Sequence, residues 1–177
     1  VQAVHFVAFG RRQHHVTVDD GCQRIAPAFG IHVALRHHAA DESPGLRRVL
    51  IDHTTSALLQ RSGKELPNWL VRGTGLALAA QDDKANPYYH SLQRAAAAQL
   101  KSVADPTAVF EDATYSPTAI DAVGLTLVEF LWKSRSAESF RHFVSSVEKG
   151  EDLKSALEQA YRAEPAAIGR AYLASQR

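Results

Sequence analysis

The sequence predicts an α+β domain in which short N-terminal strands precede a predominantly helical body. Three observations lead there. Residues 1–38 hold brief runs rich in Val, Ile and Phe with partial alternation, as half-buried strands should be. From residue 44 onward, apolar residues instead recur at three- and four-residue spacing. The chain has 177 residues, 45% of them hydrophobic, enough for one sizeable core and too few for two ordinary domains. A single domain over residues 1–177 is therefore expected, strand-rich over 1–38 and helical over 44–175.

The strand candidates are residues 3–9, 14–18 and 31–37, punctuated by Asp20-Gly21 and Phe29-Gly30. Ser43-Pro44 has the form of an N-cap with a first-turn proline, and Leu46, Val49, Leu50, His53, Ala57 and Leu58 follow at helical spacing until Gly63. Pro67 can start the next helix, carrying Trp69, Leu70, Gly73, Ala77 and Leu78, with Gly73 and Gly75 weakening its propensity. After a connection at 79–87, residues 88–103 present Leu92, Ala95, Ala96 and Leu100. Asp105-Pro106 breaks that helix and opens a second connection at 105–118. Ser116-Pro117 precedes the most apolar helix, with Ile120, Val123, Leu127, Phe130 and Leu131. Residues 136–147, 152–161 and a final segment after Glu164-Pro165 complete the series, the last carrying Ile168, Ala171, Tyr172 and Leu173.

Composition removes several classes of function. Twenty Lys and Arg against nineteen Asp and Glu leave a formal charge of +1, which argues against nucleic-acid binding by long-range attraction. Arg11-Arg12 and Arg47-Arg48 are isolated basic pairs. No apolar run approaches the roughly 18 residues that a transmembrane helix needs. Cys22 is the sole cysteine, so it can form neither an internal disulfide nor a thiolate metal cluster. The chain begins with Val1 and contains no Met. It reads as a processed or partial chain, which leaves open an export signal removed ahead of Val1 and an exported or periplasmic location.

Residues 49–78, VLIDHTTSALLQRSGKELPNWLVRGTGLAL, carry the most informative pattern. The run Asp52-His53-Thr54-Thr55-Ser56, followed by Trp69-Leu70-Val71-Arg72-Gly73-Thr74-Gly75, resembles the two active-site helices of gluzincin metallopeptidases of the MA-like type. In that family an H-E-x-x-H helix supplies two zinc ligands and a general base, and a W-L-x-E-G-x-A-like helix supplies the third ligand. The resemblance extends over roughly residues 29–175 and implies a zincin-like fold. It also implies a degenerate member: Asp52 and Ser56 occupy the histidine positions, His53 the position of the base, and Arg72 the position of the third ligand.

Ser56 is a poor neutral zinc ligand, and Arg72 would bring positive charge toward an ion. No bound metal, no cofactor and no catalytic residue are therefore expected. Arg72 is expected instead to face Asp52 in a charge-assisted pair bridging the two helices. Trp69 is expected in the core or on a cleft wall. The resemblance implies a non-catalytic binding or structural module whose former substrate cleft holds an extended peptide or protein segment. An unconventional metal-dependent hydrolase using Asp52 and histidines is the enzymatic alternative, and a structural subunit of a homo-oligomer is a third.

The remaining chemical signals are weaker. His14-His15 and His37-His38 are adjacent on candidate strands and so point to opposite faces, a poor bidentate arrangement. His32 and His53 could join a site only through the fold. Asp52, His53 and Ser56 lack the nucleophile elbow of a serine hydrolase, and Gly73-Thr74-Gly75 is too short for a phosphate loop. Tyr88-Tyr89-His90 is expected to pack with its polar tips toward solvent, an interaction surface being the alternative.

Overall fold

The computed structural model describes strand residues 16–19, 22–25 and 33–36 and residues 45–177 except 62, with side chains described only in the latter stretch. The chain divides into two compact units, Val1–Ser43 and Pro44–Arg177.

In the first unit, β1 (Val16–Asp19), β2 (Cys22–Ile25) and β3 (Val33–Arg36) form an antiparallel sheet in sequence order. Val16 pairs with Ile25 and Asp19 with Cys22, and Cys22 pairs with Arg36 on the other side. The composition of β2, CQRI, is mixed and lacks the apolar alternation that signals a strand. The strand expected at 3–9, the histidines at 14, 15, 32, 37 and 38, and the cap expected at Ser43-Pro44 lie outside the described residues.

The second unit is helical throughout its described residues. It comprises α1 (Leu46–Gln60), α2 (Asn68–Asp82), α3 (Pro87–Leu100), α4 (Ile120–Ser134), α5 (Ala137–Glu148), α6 (Leu153–Tyr161) and α7 (Pro165–Ser175). Two short 3-10 turns, Pro106–Phe110 and Asp112–Thr114, occupy the connection before α4. This overturns the expected α+β class: the body is an all-helical fold. The physical reason is that its helices bury their stripes against one another. One core cluster joins Trp69, Leu70, Leu125, Leu127, Leu131, Phe143, Leu157 and Tyr172, all drawn from helices.

The order of helices follows the sequence reading, with shifted ends. α2 runs on to Asp82, so the link to α3 is shorter than expected. α3 begins with the Asn86 side chain capping the Tyr88 amide and Pro87 in its first turn. Ser136 caps α5 and Asp152 caps α6 in the same way. Pro67, at the N-cap of α2, offers no side-chain acceptor. Asp112 serves from a distance, accepting from the Asn68 amide at 2.6 Å and the Trp69 amide at 3.0 Å.

The orientation of α1 departs from its apolar spacing. Leu46, Leu50 and Leu58 are exposed, while Leu59 is buried and Ile51 packs on the core. Arg48, Asp52, Thr55 and Ser56 are only partly exposed, so a polar stripe turns inward. Arg48 bonds Asp83 at the end of α2, and Arg47 approaches Asp82 at 3.2 Å. These ion pairs join α1 to the end of α2 with the polar stripe turned inward.

Candidate functional site

Of the expected site positions, Asp52 and Arg72 come together where α1, α2, α3 and α4 meet, and the frame is a close helix crossing. A Cβ on Gly73 of α2 would overlap the backbone of Gly124 on α4, so the two backbones touch as only glycines permit. Arg72 precedes Gly73, and Asp121 lies about one turn before Gly124. The crossing therefore presents the guanidinium of one helix to the carboxylate in the first turn of the other.

Arg72 donates from Nε to Asp121 Oδ1 at 2.5 Å and from Nη2 to Asp121 Oδ2 at 2.7 Å, a two-pronged fork. Side-chain exposures of 42% for Arg72 and 28% for Asp121 put the pair at the edge of the core rather than inside it. The fork with Asp121 raises the Arg72 pKa above its ordinary value, with burial opposing.

The expected Asp52–Arg72 bond is not formed. Arg72 makes its fork with Asp121, and Asp52 Oδ1 is buried without a hydrogen-bond partner. That oxygen sits against Gly75, where a Cβ would overlap it. Burial holds the Asp52 carboxyl above its usual pKa; Arg72 and His53 pull it down and Asp121 pushes it up. Arg72 is thus an electrostatic neighbour of Asp52 without being its hydrogen-bond donor. The cause is geometric: the close Gly73–Gly124 crossing brings α4, and with it Asp121, to Arg72.

His53 and Ser56 are half-buried on α1. Ser56 is one turn beyond Asp52, as its spacing required, and hydrogen-bonds neither Asp52 nor Arg72. Trp69 belongs to the core: it is 0% exposed, donates its indole N–H to the Phe110 carbonyl at 2.8 Å and stacks on Phe143 at 6.4 Å. Among the described residues, no group of three or more His, Cys, Asp or Glu side chains is placed to hold a metal ion.

Sequence reasoning missed Asp121. Tyr88, half-buried on α3, feels Asp121, Asp52 and Arg72, and burial raises the pKa of its phenol. Tyr89 is buried, its hydroxyl lacks a partner, and burial pushes its pKa up to about 12. Only His90 of that trio is exposed. The overlooked signal for Asp121 was an acid in the first turn of an apolar helix, three residues before a glycine. The arrangement ties α2 to α4 and leaves a buried carboxyl oxygen of α1 beside the charged pair. Comparison with protein-family models, curated proteins and solved structures returned no match.

Proposed function

We propose that this protein is a non-catalytic module that binds or holds a protein segment, retaining the two-helix pattern of a gluzincin peptidase without its metal chemistry. The observation that carries this reading is the Arg72–Asp121 fork. At the position where the resemblance expects the third zinc ligand stands a cation already committed to a carboxylate. A guanidinium has no lone pair to give a metal, and its charge repels one. Burial, which raises the Asp52 carboxyl above its usual pKa, likewise works against its serving as an anionic ligand.

The test uses the full chain loaded with zinc, followed by metal analysis, a diverse peptide library scored for cleavage, and equilibrium binding to the same library. The expected result is peptide binding without cleavage and without stoichiometric zinc. One bound zinc per chain with chelator-sensitive cleavage would establish the hydrolase alternative. Neither binding nor cleavage, together with a discrete oligomer by sedimentation, would favour the structural-subunit alternative.

A further inference from the structure

The junction of α1, α2 and α4 holds two carboxylates and one guanidinium, and only one carboxylate has claimed it. We propose that Arg72 is a proton-operated tie, held by Asp121 while Asp52 is neutral and drawn toward Asp52 when that carboxyl ionises. The inference stands apart from the peptidase resemblance, since it uses only the groups at this junction.

The geometry supplies a part-exposed cation and an unmet acceptor. Nε and Nη2 of Arg72 serve Asp121, leaving Nη1 outside the fork. The Arg72 side chain is 42% exposed, so it has room to pivot. Asp52 Oδ1 is buried and accepts no hydrogen bond, a tolerable condition for a neutral acid and a costly one for a carboxylate.

The groups facing Asp52 are His53 on its own helix, Arg72 on α2, Tyr88 and Tyr89 on α3, and Asp121 on α4. With the tyrosines neutral, Arg72 and His53 are the groups that favour ionised Asp52, and Asp121 disfavours it. Arg72 keeps its proton throughout. Loss of the Asp52 proton therefore converts a two-body pair into a competition of two anions for one cation. The consequence is mechanical: the guanidinium would tie α2 less to α4 and more to α1.

The full chain, labelled with 13C and 15N, tests this by NMR between pH 3 and 8. Side-chain carboxyl shifts give the midpoints of Asp52 and Asp121, and the Arg72 Nε–H resonance reports the guanidinium's partner. Expected is an Arg72 shift that follows the Asp52 midpoint and is lost in Asp52→Asn. In Asp121→Asn the Arg72 signal should follow Asp52 alone. An Arg72 resonance that stays constant while Asp52 titrates would overturn the proposal, as would the same shift in Asp52→Asn. Should that variant fail to fold, the wild-type comparison decides: co-titration of Arg72 with Asp52 supports the exchange, and separate titration refutes it.

Discussion

Arg72 shows how a side chain's partner depends on more than the chemistry of the nearest suitable residue in sequence. Asp52 and Asp121 can both pair with a guanidinium, but the fork goes to Asp121. A double-mutant cycle with Arg72→Ala and Asp121→Asn, measured by urea unfolding at pH 7, should give a coupling of about 1–3 kcal/mol, between exposed and buried pairs. Arg72 and Asp52 should couple more weakly at pH 4 than at pH 7. Equal coupling of Arg72 to both acids at pH 4 would contradict the assigned bond.

Asp52 adds a pH dependence whose sign is fixed by its burial. Its folded-state pKa lies above the ordinary 3.8, so the folded chain binds more protons than the unfolded one between those values. Stability from this residue is present at acid pH and is lost as pH rises from the ordinary value through the raised one. Asp52→Asn should remove that slope, so the difference in melting temperature, variant minus wild type, should grow from pH 3 to pH 7. A constant or shrinking difference would show that Asp52 is not the responsible group.

At the scale of elements, the α2–α4 crossing is the contact on which the junction depends. Alanine is favoured over glycine inside a helix by about 1 kcal/mol, so propensity alone makes Gly73→Ala stabilising. The added Cβ would strike the Gly124 backbone, which cannot rotate away as a side chain can. Gly73→Ala should therefore destabilise by about 1–3 kcal/mol net and loosen the Arg72–Asp121 fork. Chemical denaturation of Gly73→Ala beside an alanine substitution at the exposed Gln81 separates the effects; a stabilised Gly73→Ala would remove the close crossing from the account.

At the scale of the molecule, the helical unit Pro44–Arg177 is held by interlocked aromatic groups among its described residues. Trp69 is sealed between Phe110 and Phe143, Tyr161 bonds the Leu131 carbonyl at 3.1 Å, and Tyr172 meets Thr126 at 2.6 Å. Burial raises the pKa of both phenols, keeping them neutral hydrogen-bonding groups at physiological pH. Trp69→Ala should cost about 3–5 kcal/mol and threaten folding at 37 °C. Trp69→Phe should cost less and remove a blue-shifted emission that acrylamide quenches poorly. An emission lost on that substitution but readily quenched in the wild type would place Trp69 on an open wall instead. Among the described residues, no helix is long and apolar enough to cross a membrane.

Local chemistry determined much of this protein. Proline, Asx and serine positions flanked α3, α5, α6 and α7, and apolar periodicity located the seven helices. Four-residue spacing put Asp52 and Ser56 on one side of α1, because a helix returns to the same face after about one turn. Tertiary structure decided which of those faces looks inward. Ion pairs at Arg47 and Arg48 join α1 to the end of α2, the Gly73–Gly124 crossing brings Asp121 to Arg72, and the helices bury their stripes against one another in a body without strands. Each of these outcomes joins residues dozens of positions apart, and helical spacing along one segment carries no information about which distant side chain the fold will set opposite it.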